Sequence, residues 1–221
     1  MRIPLVLIFA ASVAAPTVCV SASDPVRPNV VLFLADDLGW TGLQCFGSDF
    51  YETPHLDALA ESGVKFTNAY AACTVCSPTR ASVMTGKYPA RLHLTDFIAG
   101  QNRPFAKMRI PDWTKKLDSS ETTIAEALKT AGYRTGHVGK WHLEAKRGDS
   151  NGTLPTDQGF DVTYSRPAGT KGYFLKEGTR SEAGTNYLTD ALTDKACQFV
   201  EDSQSRPFFL YFAYNVPHTP I

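Results

Sequence analysis

The chain has no surplus of charge of either sign. Its 221 residues contain 22 Lys+Arg and 22 Asp+Glu, so the formal net charge at pH 7 is zero. This balance gives no indication of a surface that binds polyanions, and we predict no nucleic-acid partner. Internal repeats and low-complexity tracts are also lacking. With 43% hydrophobic and 20% charged residues, the composition is that of a globular protein with one sizeable core.

Cysteine is scarce, with five residues in the whole chain. Cys19 lies in an apolar leader and Cys76 in a motif described below, which leaves Cys45, Cys73 and Cys197. An odd remainder argues against a dense disulfide scaffold, although one bridge is possible. Cys73 and Cys76 form a C-x-x-C pair, but no second pair follows at zinc-ligand spacing. A thiol oxidoreductase is therefore kept as an alternative function.

The longest apolar run is shorter than the ~20 residues that span a bilayer. It follows Arg2 and leads to a small-residue cleavage site at residues 20–22. This pattern predicts a signal peptide over residues 1–22. An N-terminal membrane anchor is the alternative, and Pro4 and Pro16 argue against it. We expect export to the periplasm, the exterior or a lysosome, with no stable membrane insertion after cleavage.

Apolar strand-like runs alternate with segments that have helix caps and helical spacing. The pattern predicts an α/β fold with a mostly parallel central sheet flanked by helices. Residues 87–118 and 148–176 look irregular. The predicted order is a strand at 29–35, a helix between Thr53 and Gly63, a strand at 64–66, a helix between Ser77 and Gly86, a helix between Thr123 and Gly132, a strand at 133–138, a helix within 186–203 and a strand at 207–214.

The stretch CTVCSPTRASVMTG places a thiol at the start of a helix. Ser77 is a good N-cap, Pro78 suits the first helical position and Gly86 is a natural stop. Cys76 would then lie just before a helix N-terminus, where free backbone N–H groups favour an anion and lower a thiol pKa. Arg80 lies one turn further on and can turn back towards the same place. The alternative is a structural cysteine beside an ordinary cap.

Polar side chains follow three of the predicted strands. Asp36 and Asp37 form an oxygen-rich corner suited to Ca²⁺ or Mg²⁺, unless one caps a turn and the other is solvated. The run GYRTGHVGKWHL brings Lys140, a point charge suited to an oxyanion, and His142, which can take a hydroxyl proton. The bland alternative is a surface lysine and a packed histidine. His218 follows the last strand and is by itself an ordinary loop histidine.

Four motifs, in order, resemble the signatures of the type I sulfatases, the formylglycine-dependent, arylsulfatase-like members of the alkaline phosphatase superfamily. They are the aspartate pair after the first strand, Cys76-x-Pro78-x-Arg80 with its following Met-Thr-Gly, the run GYRTGHVGKWHL, and N-x-P-H-x-P at residues 215–220. The resemblance covers most of residues 29–221. Thr79 stands where most members have serine, and it keeps the hydroxyl.

The resemblance implies that Cys76 is oxidised to formylglycine by a formylglycine-generating or other sulfatase-maturing enzyme. The hydrated aldehyde would be the nucleophile that cleaves a sulfate ester of an aryl group or a sulfated sugar. Asp36, Asp37 and an oxygen on residue 76 would bind Ca²⁺, with Mg²⁺ possible.

The same resemblance assigns the charged side chains. Lys140 and His218 would bind the sulfate, and His142 would hydrogen-bond the formylglycine hydroxyl. Arg80 would help to stabilise charge on the oxygens, and His218 is a candidate acid for the leaving oxygen. His137 lies on the strand face opposite Val138, and we expect it to be structural.

The resemblance also implies a longer protein, because sulfatases are typically about twice the length of this chain. Two further metal ligands, an aspartate and an asparagine, and a second sulfate-binding lysine come later in the family. We therefore expect residues 23–221 to be the N-terminal part of a sulfatase catalytic domain, incomplete at the C-terminus, with the final strand exposed as a sheet edge. The alternatives are a phosphodiesterase or phosphonate hydrolase of the same superfamily, and an inactive truncated remnant that only binds.

Overall fold

The apolar runs assemble into one four-stranded parallel sheet. A computed structural model describes residues 27–101, 103–145 and 153–219. In the sheet, β1 pairs with β4, β4 with β2, and β2 with β3, giving the order β1-β4-β2-β3. The predicted α/β class with a mostly parallel sheet is confirmed. The strands are β1 (Val30–Asp36), β2 (Arg134–Gly139), β3 (Val162–Tyr164) and β4 (Phe208–Pro217).

The last strand lies in the middle of the sheet, so the prediction that it forms an edge is wrong. Every residue from Phe208 to Ala213 is buried, as expected of a strand covered on both faces. In the described sheet β1 and β3 are the edges, and Val31 and Phe33 on β1 are 41% and 53% exposed. A parallel strand returns through a crossover, and this one inserts β4 between β1 and β2.

Helices cover both faces of the sheet. Alternate residues of β4 point to opposite faces. Phe209, Tyr211 and Ala213 join the core formed with α2 and α4, while Phe208, Leu210 and Phe212 join the core formed with α5. The helices are α1 (Pro54–Ser62), α2 (Cys76–Thr85), α3 (Pro89–Leu92), α4 (Ile124–Thr130) and α5 (Leu188–Glu201), with short 3₁₀ turns at Gln44–Phe46 and Pro155–Gln158.

Most predicted elements are present, with local differences. The capping box of α4 is formed. The backbone N–H of Glu126 donates to the Thr123 hydroxyl, and the Glu126 carboxylate accepts the backbone N–H of Thr123. The strand predicted at 64–66 is absent, and Val64 and Phe66 are 80% and 72% exposed with no paired neighbour within the described sheet. α3 and β3 lie in stretches predicted to be irregular.

The predicted signal peptide, residues 1–22, lies outside the described residues. Within the ranges that the structure covers, no helix has both the length and the apolar character needed to cross a membrane. Its longest helix is α5, with 14 residues.

Candidate active site

Cys76 opens helix α2. Cys76 is its first residue and Val75 its N-cap, so the predicted cap at Ser77 is wrong. The physical reason is that the Ser77 hydroxyl is engaged elsewhere, accepting the backbone N–H of Ile98 at 3.1 Å. The Sγ of Cys76 lies 3.3 Å from Nδ1 of His142. Cys76 is a free thiol, as are the other cysteines of the described part.

Arg80 turns towards the sheet and forms a buried ion pair with Asp36. Its Nη2 donates to Oδ1 of Asp36 at 3.1 Å, and the two side chains are 2% and 4% exposed. The Nζ of Lys140 contacts the other oxygen, Oδ2, at 2.5 Å. Each oxygen of the Asp36 carboxylate therefore faces its own cation. Such pairing offsets part of the cost of burying a carboxylate away from water.

The other terminal nitrogen of Arg80 connects the end of β2 with the interior of β4. Nη1 donates to the backbone oxygen of Lys140 at 2.8 Å and to the Tyr211 hydroxyl at 3.2 Å. Burial raises the pKa of Tyr211 although Arg80 opposes the shift, so the phenol stays neutral. The buried Nε of Arg80 has no hydrogen-bond partner among the residues that the structure describes. The guanidinium thus fixes Asp36, Lys140 and Tyr211 relative to one another.

Lys140 reaches this place because β2 ends at a glycine. Gly139 has a φ of 103°, and a Cβ built there would lie 1.9 Å from the backbone oxygen of Ala213. The next residue, Lys140, donates its backbone N–H to that same oxygen at 2.8 Å. Only glycine allows the two strands to approach so closely at this point.

His142 is held at both ring nitrogens. Its Nε2 contacts the backbone oxygen of Ile98, and a carbonyl oxygen can only accept, so Nε2 carries the proton. Nδ1, which faces Cys76, is therefore the acceptor. Burial, the largest effect, lowers the pKa of His142, and the nearby cations of Lys140 and Arg80 lower it further. A neutral imidazole in this tautomer can take a proton from a group on residue 76.

Asp37 and His218 form the exposed part of the site. The Nε2 of His218 lies 3.8 Å from Oδ2 of Asp37, and the side chains are 40% and 56% exposed. Asp37 has a φ of 67°. The Tyr173 hydroxyl contacts two backbone oxygens of the turn that carries His218, those of Asn215, at 2.9 Å, and of His218 itself. The predicted site residues at the ends of β1, β2 and β4 therefore share one edge of the sheet.

The predicted metal ligands do not form a complete cluster. In the three ranges described, no group of three or more His, Cys, Asp or Glu side chains is arranged to hold a metal ion. Asp36 and Asp37 supply the hard oxygen donors that Ca²⁺ and Mg²⁺ prefer. Both oxygens of Asp36 already face cations, yet each carboxylate oxygen keeps a second lone pair. The chemistry of the donors fits, and their number is partial.

A cavity of about 640 Å³ opens beside these groups. Its walls include Asp36, Lys140, His142 and His218, together with Tyr173. The combination of cationic side chains, a neutral imidazole and an open cavity suits a small anionic group attached to a larger organic one.

Comparison with known proteins decides the family. The sequence matches the model of the Sulfatase family over residues 28–221, which is most of the chain. The chain belongs to the sulfatase family. An arylsulfatase of Hemicentrotus pulcherrimus is 36% identical over 219 residues, covering 89% of this chain and 38% of that protein.

Solved structures agree with this assignment. Ps i-CgsB in complex with k-i-k-neocarrahexaose matches with a TM-score of 0.69 and 34% identity, over 88% of this chain and 46% of that chain. A phosphonate monoester hydrolase of Agrobacterium radiobacter matches with a TM-score of 0.64 over 88% of this chain and 42% of that chain. Its 23% identity shows the fold alone. The sulfatase, alkaline phosphatase-like fold is confirmed, and the chain spans less than half the length of these proteins.

Three contributors to this site were missed by sequence reasoning. Ile98 and Tyr173 lie in stretches predicted to be irregular, and both act through contacts with backbone atoms. Ser77 was assigned to a cap. No spacing rule connects a hydroxyl with a peptide group 21 residues away, so only the fold could reveal these contacts.

Proposed function

We propose that the protein hydrolyses sulfate esters. The observation that carries the proposal is the contact of 3.3 Å between the Sγ of Cys76 and Nδ1 of His142, whose other nitrogen is fixed on a backbone carbonyl. Membership of the sulfatase family and an arylsulfatase relative support the same reaction. An acceptor nitrogen beside residue 76 is what activation of a hydroxyl at that position requires.

We further propose that Cys76 is converted to formylglycine by a sulfatase-maturing enzyme. The hydrated form would supply two hydroxyl groups, one to attack sulfur and one to allow the sulfate to leave afterwards. The side chains around it then have defined tasks. His142 holds the acceptor Nδ1 towards residue 76, and Ile98 keeps the proton on the opposite nitrogen.

Lys140 and His218 are proposed to bind the sulfate group. A lysine ammonium has three donors, so Lys140 can contact Asp36 and still donate to an anion. His218 lines the cavity and is proposed to give a proton to the leaving oxygen. Arg80 is buried at 1% exposure, and its part is to hold Asp36 and Lys140 in place while adding positive charge near the oxyanion.

A divalent cation, Ca²⁺ or alternatively Mg²⁺, is proposed to be held by Asp36, Asp37 and an oxygen on modified residue 76. When bound, it would stabilise negative charge that develops at the reacting oxygens. Ca²⁺ prefers 6–8 oxygen ligands, so these three donors are only part of a shell.

The substrate class is a proposal as well. The arylsulfatase relative supports an aryl sulfate, and the complex of Ps i-CgsB with k-i-k-neocarrahexaose supports a sulfated carbohydrate. We propose export of the protein to the periplasm, the exterior or a lysosome, after removal of residues 1–22. The assignment of residues 23–221 to the N-terminal part of a sulfatase catalytic domain stays a prediction.

The test is a pair of cysteine variants of the whole protein, produced together with a sulfatase-maturing enzyme. Cys76→Ala should abolish hydrolysis of 4-nitrophenyl sulfate and of a sulfated oligosaccharide without a change in melting temperature. Cys73→Ala is the matched control and should keep most of the activity, since its side chain is not proposed to react. Mass spectrometry of the peptide with residue 76 measures the conversion.

Three outcomes would contradict the proposal. Sulfate hydrolysis retained by Cys76→Ala would remove residue 76 from the reaction. Faster hydrolysis of a matched phosphonate monoester than of the sulfate ester would favour the phosphonate hydrolase alternative. Equal losses in Cys73→Ala and Cys76→Ala, with insulin reduction by the unmodified protein, would instead support the thiol oxidoreductase.

A further inference from the structure

The backbone of Ile98 connects helix α2 with His142. Its C=O accepts a hydrogen bond from Nε2 of His142, and its N–H donates to the Ser77 hydroxyl at 3.1 Å. Ile98 is 8% exposed and Ser77 is fully buried. The hydrogen bond between Ser77 and Ile98 is therefore shielded from water, where a misplaced partner cannot be replaced by solvent, and the bond from Ile98 to His142 is partly buried beside the cavity.

These contacts close a ring around the site. Cys76 is bonded to Ser77, Ser77 holds Ile98, Ile98 holds one nitrogen of His142, and the other nitrogen faces Cys76. The orientation of the His142 ring therefore depends, through Ile98 and Ser77, on the position of Cys76. A shift of Ile98 would turn the ring and change the distance of 3.3 Å between Nδ1 and Sγ.

Among the residues that the structure describes, the Ser77 hydroxyl is hydrogen-bonded only to Ile98. α2 starts without a side-chain cap, and Ser77 is its second residue. Ser82 lies in the same helix, and its buried hydroxyl oxygen makes no hydrogen bond to the described residues. Burial in α2 therefore does not by itself give a serine hydroxyl a hydrogen-bond partner. The contact of Ser77 with Ile98 is specific to that position.

We propose that Ser77 is a positioning residue, which holds His142 with its proton on Nε2 and its acceptor Nδ1 towards residue 76. The catalytic consequence rests on the proposed function, whereas the structural part does not. In the motif Cys76-x-Pro78-x-Arg80, position 77 is free. Substitutions there leave the motif for maturation intact, so an effect on the histidine is separable from an effect on formylglycine formation.

The test uses three variants and two readouts. Ser77→Ala removes the acceptor, Ser77→Thr keeps a hydroxyl, and Ser82→Ala removes a hydroxyl from the same helix. The first readout is the ¹⁵N chemical shifts of the His142 ring, assigned by comparison with His142→Gln. The second is kcat and KM for 4-nitrophenyl sulfate in the whole protein, with the formylglycine content matched by mass spectrometry.

The wild type, Ser82→Ala and Ser77→Thr should show Nε2 protonated and Nδ1 as acceptor. Ser77→Ala should show averaged shifts from two tautomers. Its kcat should fall about tenfold, a part of what acid–base catalysis contributes, with KM unchanged within about twofold. A loss that arises from reduced stability alone would instead appear in the melting temperature, and would leave the ring shifts of the folded protein as they are.

Unchanged ring shifts and kcat in Ser77→Ala would overturn the proposal, as would equal effects of Ser77→Ala and Ser82→Ala. If Ser77→Thr does not fold, because the site has no room for a methyl group, the comparison of the two alanine variants decides. If the wild type shows no sulfate hydrolysis, the proposed function fails, and the ¹⁵N shifts alone decide whether Ser77 positions His142.

Discussion

The two halves of the site differ in how they are held. The buried half consists of Arg80, Asp36 and Lys140, with charged atoms 2.5–3.1 Å apart and side chains 2–16% exposed. The open half consists of Asp37 and His218, 3.8 Å apart and 56% and 40% exposed. Both halves lie at the carboxyl ends of parallel strands, yet only the first is enclosed by them.

This difference separates stability from function. A buried charge that loses its partner destabilises the fold strongly. The ion pairs of the buried half therefore contribute to the stability of the folded state. An exposed pair at 3.8 Å contributes little to stability, and the turn of His218 is held instead by the Tyr173 hydroxyl. We expect changes in the buried half to affect folding and activity together, and changes in the open half to affect activity alone.

The largest effect should come from Gly139→Ala. The added Cβ would lie 1.9 Å from the Ala213 oxygen and force β2 from β4 at the point that places Lys140. We expect a loss beyond the ~5 kcal/mol that is exceptional for one substitution, seen as insoluble or unfolded protein by circular dichroism. Gly86→Ala is the control, with a φ of 67° and open space, and should cost about 1–2 kcal/mol. Similar losses would mean that the close approach of the strands is unimportant.

Arg80→Met should have the next largest effect. It leaves Asp36 with one cation and removes the donors to the Lys140 carbonyl and the Tyr211 hydroxyl. Breaking a buried pair from one side costs about 3–5 kcal/mol, measured as the free energy of unfolding in urea. Arg109→Met removes an ion pair whose arginine is 84% exposed and should have no measurable effect. Equal losses would contradict the distinction between the halves.

The core beneath the buried half should be sensitive to acid. Burial lowers the pKa of His137 to about 3 from 6.5. Between pH 6.5 and 3, His137 therefore binds a proton in the unfolded state but stays neutral in the folded state. Stability is fully present above pH 6.5 and falls as the pH drops, by about 1.4 kcal/mol per unit from this group.

Urea unfolding at a series of pH values measures this dependence. His137→Gln should flatten the slope, whereas His55→Gln, at the exposed start of α1, should leave it unchanged. A slope that is unchanged in His137→Gln would assign the acid sensitivity to another group, such as His142, whose pKa burial also lowers.

The smallest effect on stability should come from His218→Gln. We expect the free energy of unfolding to change by less than about 0.5 kcal/mol, as for other exposed positions. Hydrolysis should nevertheless fall by about 100-fold for sulfate esters with poor leaving groups, and less for 4-nitrophenyl sulfate, because a proposed proton donor is lost. A uniform loss across both substrates would show that His218 binds sulfate without donating a proton.

The sequence supports the buried half better than the open half. Apolar runs ending in polar residues placed Asp36 and Lys140 after the carboxyl ends of parallel strands, where ligands bind, whereas His218 received its role only from the resemblance to the sulfatases. The strand order was not predictable, since β4 reads as apolar whether it is central or at an edge. Contacts of Ser77 and Tyr173 with backbone atoms leave no trace in periodicity, because they depend on which loops the fold brings together.

The order of the strands also determines when the sheet can form during synthesis of the chain. In the described sheet β1 borders only β4, the last of the four strands to leave the ribosome. Arg80 must wait for Tyr211, 131 positions later, to complete its contacts. Until then the segment around Cys76 lacks the sheet against which α2 packs. On the nascent chain, Cys76 is therefore accessible for the proposed oxidation until β4 is synthesised and the sheet forms.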